Sequence, residues 1–169
     1  MAKAIVIAAP SSGSGKTLIT LGLIRALRNK GLKVASAKIG PDYIDGRFHE
    51  AASGQPCVNL DYWAMGFASC AALLGEIGKS QDLVIIEGVM GLFDGPDGAK
   101  GSTCDLAEKF GLPVVLIIDA ARQAQSIAAL VYGFTNFRPA LNIAGLILNK
   151  VASDEYYSQS IRGFAQSSE

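Results

Sequence analysis

The chain has few of the side chains that most often build catalytic or metal sites. Its 169 residues include one histidine and three cysteines. Cys57, Cys70 and Cys104 lie far apart without metal-ligand spacing, and their odd number argues against a disulfide framework. They are interpreted as buried or half-buried thiols in a reducing compartment. A single histidine gives no support for a Ser-His-Asp or Cys-His catalytic set.

The sequence also lacks an excess of charge of either sign. Lys and Arg total 15, as do Asp and Glu, so no net field favours nucleic acid or an acidic membrane surface. No apolar run approaches the roughly 20 residues of a membrane span. The first residues, MAKAIVIAAPSSG, lack the length and the cleavage pattern of a signal peptide. We therefore expect a cytoplasmic protein without nucleic-acid or membrane partners.

What the sequence does contain is a regular alternation of β-branched apolar runs and helical patterns. These patterns predict strands at 3–9, 33–39, 82–88, 113–119 and 143–150. They predict helices at 17–31, 45–54, 61–79, 105–111, 122–134 and 153–169. Strict alternation favours an α/β fold with a mainly parallel sheet and helices on both faces. Ligands of such sheets bind at the carboxyl ends of the strands.

The end of the pattern predicts an incomplete domain. The strand at 143–150 is followed by one helix, which has Ser153 as a good N-cap. Because an α/β domain usually closes with another strand, we expect residues 1–169 to form one domain cut before its last strand.

The stretch APSSGSGKT, residues 9–17, has the strand-to-helix context of a Walker A loop. Small residues let backbone N–H groups turn toward phosphate oxygens, and the helix that follows adds partial positive charge. Lys16 can reach the β- and γ-phosphates, and Thr17 can bind Mg²⁺. Pro10 stands where the usual pattern has glycine, but the context still predicts a P-loop NTPase-like fold. The expected ATP-binding residues are Ser11, Ser12, Gly13, Ser14, Gly15, Lys16 and Thr17.

A second nucleotide signal is LNKVAS, residues 148–153. An Asn-Lys pair after a late strand can read a purine edge, because the Asn amide offers both a donor and an acceptor. The alternative is a plain strand-to-helix turn. Both interpretations stay open for Asn149 and Lys150.

An acid ends the apolar strand within VIIEGVMGLFDG. An ionised Glu87 is costly to bury unless it is paired. A Mg²⁺ ion held by Thr17 and the ATP phosphates is a suitable partner. The glycine-rich stretch that follows carries Asp94 and is interpreted as a loop over the site. The alternative is a solvent-facing strand end followed by an ordinary loop.

The stretch KIGPDYID, residues 38–45, combines a lysine with two acids. Alone, Asp42 would be a turn residue and Asp45 an N-cap. Beside a phosphate loop they indicate metal binding and substrate activation, with Lys38 neutralising charge on a transferring phosphoryl group. Spacing leaves open which acid holds the metal. His49, four residues after Asp45, is expected to make a structural hydrogen bond first and a substrate contact second.

KIGPDYID, FHEAASGQPCVNLDYWAM (48–65) and EGVMGLFDG (87–95) together resemble the N-terminal domain of the cobyrinic acid a,c-diamide synthase family. The resemblance covers essentially the whole chain. It implies ATP- and Mg²⁺-dependent amidation of the a and c carboxylates of a corrin in cobalamin biosynthesis. Each carboxylate would pass through an acyl phosphate, and glutamine would supply the ammonia. Whether the corrin contains cobalt stays open, as does the oligomeric state, with a homodimer as one possibility.

The resemblance also implies residue roles. The catalytic residues would be Lys16, Lys38, Asp42 and Asp94. The Mg²⁺ ligands would be Thr17, Asp45 and Glu87. The corrin would contact Tyr43, Asp42 and His49.

One departure from the family is large. Its members carry a C-terminal glutamine amidotransferase domain with a nucleophilic cysteine, and nothing in this chain corresponds to it. The chain is therefore expected to be the synthetase half, which does not hydrolyse glutamine.

Three alternatives remain. A dethiobiotin-synthetase-like carboxylate activator shares the loop but does not need GPDYID. A partitioning-type switch ATPase usually carries a second lysine where this chain has Ser11. The third alternative is a truncated, inactive fragment that keeps only nucleotide affinity.

Overall fold

The computed structural model describes residues 3–97 and 100–166, with the backbone alone at 164–166. The strands are β1 (Lys3–Ala8), β2 (Val34–Ile39), β3 (Cys57–Leu60), β4 (Leu83–Glu87), β5 (Val114–Asp119) and β6 (Ile143–Asn149). The helices are α1 (Lys16–Asn29), α2 (Asp45–Ser53), α3 (Tyr62–Ile77), α4 (Thr103–Phe110), α5 (Ser126–Asn136) and α6 (Asp154–Gln166). None of these helices is long and apolar enough to cross a membrane.

The strands form one sheet in the order β3-β2-β4-β1-β5-β6, and every strand pair is parallel. Two apolar cores cover its faces. Ile24 of α1 and Ala52 of α2 pack on one face. Cys70 of α3, Leu106 of α4 and Val131 of α5 pack on the other. The predicted α/β architecture, with a parallel sheet covered on both sides, is confirmed.

The expected number of strands is wrong by one. The segment Cys57–Leu60 lies outside the predicted strands, yet it forms β3 and pairs with β2 at the edge of the sheet. Its four residues are too few to show a period, so tertiary pairing decides its conformation. Asp61 follows directly and caps α3, because its side chain accepts a hydrogen bond from the Ala64 N–H at 3.0 Å.

Several helix boundaries also differ from expectation. The helix α3 is kinked at Gly66, whose φ of 76° is not helical. The helix α5 begins at Ser126 rather than 122, because Arg122 adopts a left-handed φ of 62° in a turn. Ser153 does cap α6, accepting from the Tyr156 N–H at 3.4 Å. Residues 167–169 of the expected last helix lie outside the described residues.

The strand register brings the polar strand ends together. Lys38 of β2 pairs with Glu87 of β4, and Glu87 pairs in turn with Ile7 of β1. Paired residues of adjacent strands point to the same face of a sheet. The lysine and the glutamate therefore lie side by side, next to the loop that leaves β1.

The packing of β2 provides a test of the core. Ser36 is fully buried and its hydroxyl has no hydrogen-bond partner among the described residues, while the neighbouring Ala37 is equally buried. We expect Ser36→Ala to raise the free energy of unfolding by about 1 kcal/mol, because it removes an unsatisfied hydroxyl. The matched Ala37→Ser should lower it by about 1–3 kcal/mol. Urea unfolding measures both, and destabilisation by Ser36→Ala would show that the hydroxyl is satisfied.

Candidate functional site

The phosphate loop leaves β1 and ends at the first residue of α1. Gly13 and Gly15 have φ values of 78° and 93°, which glycine adopts at little cost. A Cβ on Gly15 would also overlap the side-chain amide of Asn149. Lys16 begins α1, so the loop presents its backbone N–H groups at a helix N-terminus. Such a terminus attracts anions.

Lys16 is buried at the mouth of this loop. Its ammonium donates hydrogen bonds to the carbonyl of Met90, at 2.6 Å, and to the carbonyl of Ser11, at 3.2 Å. Burial lowers the pKa of Lys16; the charge of Glu87 works in the opposite direction. The ammonium is thus held between the phosphate loop and the segment after β4, where a phosphate can replace the two carbonyls.

A buried lysine surrounded by three acids lies beside the loop. The Lys38 ammonium is 3.1 Å from Asp42, 2.9 Å from Asp45 and 3.1 Å from Glu87. The side chain of Lys38 is 2% exposed and that of Glu87 is 1% exposed. These four residues are called the lysine-carboxylate cluster below. Three carboxylates against one ammonium leave an excess of negative charge that favours a further cation.

Electrostatics keep Lys38 and Glu87 of this cluster ionised. Burial disfavours a charge on Lys38, but the charge of Glu87 and hydrogen bonds with Asp45, Glu87 and Asp42 outweigh it and raise the pKa of Lys38. Burial likewise opposes ionisation of Glu87. Its hydrogen bonds with His49 and Thr17 and the charge of Lys38 overcome that cost, so its pKa is lowered. Both groups are therefore charged at neutral pH.

Three oxygens converge where a divalent cation is expected. The Thr17 hydroxyl lies 2.6 Å from Oε1 of Glu87 and 3.1 Å from Oδ2 of Asp45. Within the described residues, no three His, Cys, Asp or Glu side chains are arranged as a ready metal site. A hydroxyl and two carboxylates nevertheless fit Mg²⁺, which takes few protein ligands and completes its shell with phosphates and water.

The substrate contact expected of His49 needs correction. The imidazole is 0% exposed, and its Nε2 lies 2.6 Å from Oε2 of Glu87. A ring without accessible surface cannot touch a substrate, so the structural hydrogen bond is the interaction found. Burial opposes a charge on the ring, but Cys57 and Glu87 raise its pKa from 6.5 to about 9. Nδ1 forms no hydrogen bond with Cys57 or any other described residue, so Glu87 is the contact that holds the charge.

Asp42 lies between two clefts, and Tyr43 lines one of them. Asp42 uses Oδ1 to accept hydrogen bonds from the N–H groups of Ile44 and Asp45, at 3.0 and 2.9 Å, and turns Oδ2 to Lys38. It lines a cleft of about 310 Å³ with the phosphate loop and a second cleft of about 240 Å³ with Tyr43. Tyr43 is 83% exposed. Asp42 therefore connects the cleft at the phosphate loop with the cleft that the exposed Tyr43 side chain lines.

The remaining predicted residues lie close to the loop, but each is engaged with protein. Oδ2 of Asp94 accepts from the Gly91 N–H at 2.9 Å, and Asp94 does not line the larger cleft. The Asn149 amide donates to the Ser14 carbonyl at 2.9 Å. Lys150 donates to the Gly13 carbonyl at 2.9 Å and pairs with Asp119 at 2.6 Å. The Asn-Lys pair thus holds the phosphate loop through hydrogen bonds to its backbone carbonyls.

Sequence reasoning missed two contributors to the site. The Met90 carbonyl, which accepts from Lys16, belongs to a residue with φ of 51°. A backbone group leaves no mark in the residue pattern. Asn59 of β3 donates to the Asp42 carbonyl at 3.0 Å and fixes the turn that carries that acid. Its position between two apolar residues was the available signal.

Comparison with known proteins identifies a matching family and similar relatives. A family model described as the CobQ/CobB/MinD/ParA nucleotide binding domain matches residues 5–168. Hydrogenobyrinate a,c-diamide synthase from Brucella anthropi is 54% identical over 155 residues, which are 91% of this chain and 36% of that protein. The Rhizobium meliloti protein of the same name is 51% identical over 152 residues, 90% of this chain and 35% of that protein. The chain thus spans about a third of these relatives.

Solved structures with a similar backbone are distant in sequence. Chloroplast FtsY from Physcomitrella patens matches 98% of this chain and 56% of its own, with TM-score 0.67 and 17% identity. The hydrogenase maturation factor HypB from Archaeoglobus fulgidus matches 98% of this chain and 74% of its own, with TM-score 0.57 and 18% identity. These likenesses show the fold, and the P-loop NTPase-like class is confirmed.

The raised pKa of His49 predicts a pH-dependent stability. A group whose pKa rises on folding stabilises the folded state fully at pH values below its unfolded pKa, which is 6.5 for His49. This contribution is lost as the pH rises through the folded pKa of about 9. In chelator-containing buffer, the free energy of unfolding should therefore fall between those values. His49→Gln should fall less steeply in urea titrations at stepped pH. Equal slopes in the two proteins would contradict the pairing.

Proposed function

Because the chain belongs to the CobQ/CobB/MinD/ParA nucleotide-binding family, we propose that it binds ATP with Mg²⁺ and activates the a and c carboxylates of a corrin. The names of its relatives support hydrogenobyrinic acid, the cobalt-free corrin, as the substrate. The product would be the a,c-diamide, formed in cobalamin biosynthesis. Since the chain spans about a third of those relatives, the activity of the whole protein is part of the proposal.

The observation that carries this proposal is the lysine-carboxylate cluster beside the phosphate loop. Phosphoryl transfer depends mainly on positioning and charge neutralisation. Lys16 would hold the β- and γ-phosphates from the loop, and Lys38 lines the same cleft in contact with Asp42. Two ammonium groups would thus face the transferred phosphoryl group from different sides.

The proposed reaction has two steps. An oxygen of the corrin carboxylate attacks the γ-phosphorus of ATP, the bond to the β-phosphate oxygen breaks, and ADP leaves. The nitrogen of ammonia then attacks the acyl carbon, loses a proton, and displaces phosphate to give the amide. In both steps the chain binds, orients and neutralises charge, while Asp42 at the rim accepts a proton or positions the incoming group.

The geometry favours one assignment of the two acids left open by spacing. Thr17, Asp45 and Glu87 would hold Mg²⁺, which would neutralise phosphate charge when bound. Asp45 contacts the Thr17 hydroxyl, whereas Asp42 spends Oδ1 on backbone N–H groups and points Oδ2 at Lys38. We therefore place Asp45 with the metal and Asp42 with the substrate. Asp94 remains a candidate transfer residue, and Asn149 and Lys150 remain candidate base-side residues.

Three large exposed side chains in the segment that carries Asp42 support a bulky substrate. Tyr43, Ile44 and Phe48 are 83%, 74% and 55% exposed in the segment that carries Asp42. Exposed apolar side chains that adjoin a polar cleft mark ligand surfaces. We propose that Tyr43 and its neighbours contact the face of the macrocycle while one of its peripheral carboxylates enters the cleft.

The ammonia would come from glutamine hydrolysed outside these residues. Cys70 and Cys104 are buried, and Cys57 lies on the edge strand β3 rather than in a nucleophile turn. Burial raises the pKa of the Cys104 thiol to about 11, which removes its nucleophilic thiolate at neutral pH. Residues 1–169 are therefore assigned to a single ATP-binding synthetase domain.

The proposal predicts coupled ATP consumption. With Mg²⁺ and ammonium present, hydrogenobyrinic acid should raise the rate of ADP formation by the intact protein and be converted to its diamide. A corrin already amidated at both positions is the control and should give no stimulation. Phosphate release and mass spectrometry measure the two products. Equal ATP turnover with and without the corrin would contradict the synthase assignment.

Two substitutions separate nucleotide binding from amidation. Lys16→Ala should abolish ATP binding, because it removes the ammonium at the mouth of the loop, while Lys30→Ala at the far end of α1 should not. Asp42→Asn should preserve ATP binding but lower amidation by about 100-fold. Calorimetry and diamide formation measure the two effects. Equal loss of both in Asp42→Asn would show that Asp42 belongs to the nucleotide site.

A further inference from the structure

The two carboxylate oxygens of Glu87 face different surroundings. Oε1 points to the phosphate cleft, 2.6 Å from the Thr17 hydroxyl and 3.1 Å from the Lys38 ammonium. Oε2 points into the protein, where its contact is Nε2 of His49 at 2.6 Å. The carboxylate therefore presents one oxygen to the nucleotide side and keeps the other fixed behind it.

The imidazole that contacts Oε2 makes no other side-chain hydrogen bond to the described residues. Within the described residues, its Nδ1 forms no hydrogen bond, and the ring is completely buried. A buried polar group usually has a partner for each atom. In His49, by contrast, only Nε2 has a side-chain hydrogen-bond partner among the described residues, and that partner is Glu87 at the end of β4.

Helix α2 positions the ring together with a second acid. Asp45 begins α2 and His49 follows one turn later, so both side chains project from the same helix face. Asp45 contacts Thr17 and Lys38, and His49 contacts Glu87. One short helix therefore sets the orientation of both carboxylates that approach the Thr17 hydroxyl.

We propose that His49 is a positioning residue for Glu87, and that it orients this carboxylate so that Oε1 is directed to the Mg²⁺ that accompanies the nucleotide. The inference rests on the proposed function only in taking Glu87 as a metal ligand. Without the ring, Oε2 would be buried without a partner and the carboxylate would turn to satisfy it. Outer partners of metal ligands typically contribute 10- to 100-fold to metal affinity.

The test measures how Mg²⁺ strengthens binding of a non-hydrolysable ATP analogue to the full chain. His49→Asn and His49→Gln are compared, because the longer Gln side chain can place an amide N–H near the position of Nε2, while Asn falls short of it. The control is Ser53→Ala, which removes another buried polar group of α2 that bonds to Gln55 instead of Glu87. Thermal unfolding establishes that each variant is folded.

In His49→Asn, we expect the half-saturating Mg²⁺ concentration to rise about tenfold or more. Analogue binding in chelator should stay unchanged, because the phosphate loop does not contact the ring. His49→Gln should recover most of the Mg²⁺ dependence, and Ser53→Ala should match the wild type. An unchanged Mg²⁺ requirement in His49→Asn would overturn the proposal, as would an equal loss of binding with and without metal.

The outcome does not depend on the corrin. If the wild-type chain binds the analogue with Mg²⁺ but is not stimulated by hydrogenobyrinic acid, the proposed substrate is wrong and the role of His49 can still be read. If His49→Asn keeps the wild-type Mg²⁺ requirement while the corrin stimulates ATP use, the positioning role is wrong and the proposed function stands.

Discussion

The Lys38 ammonium is buried at the carboxyl end of β2, and its acidic neighbours offset the cost of burying it. An isolated ammonium in such a place would lose its proton or remain unpaired at a penalty of several kcal/mol. Three carboxylates from β4 and from the segment after β2 keep it charged. The path of that segment, the docking of α2 and the orientation of Glu87 therefore all depend on one ion cluster. Replacing Lys38 with an uncharged residue would leave the buried Glu87 without its ammonium partner.

The same cluster links stability to chemistry. Its three carboxylates exceed its one ammonium, so the folded chain has local negative charge that favours a bound cation. The phosphate loop beside the cluster favours an anion, because Lys16 and the N-terminus of α1 supply positive charge there. A metal-bound polyphosphate would meet both requirements at once, which is the physical basis of the ligand pair proposed above.

Much of this fold and site was predictable, for identifiable reasons. The buried strands have unbroken apolar runs, and Gly15 and Lys16 stand in a loop whose chemistry is local. Three features were not predictable. The strand β3 is too short to show a period, the Met90 carbonyl is backbone, and the partner of His49 is 38 residues away in sequence. Each of these depends on which segments meet in space, which the local pattern does not encode.

The support that Asn149 and Lys150 give to the phosphate loop has a consequence for the order of folding. Their hydrogen bonds to the carbonyls of Ser14 and Gly13 span 135 and 137 residues of sequence. Contacts of such long range form late, because a large loop must close first. During synthesis the phosphate loop leaves the ribosome before β6, so it cannot form its hydrogen bonds with Asn149 and Lys150 until β6 has followed. A nascent chain can therefore acquire most of its sheet before its phosphate loop is rigid.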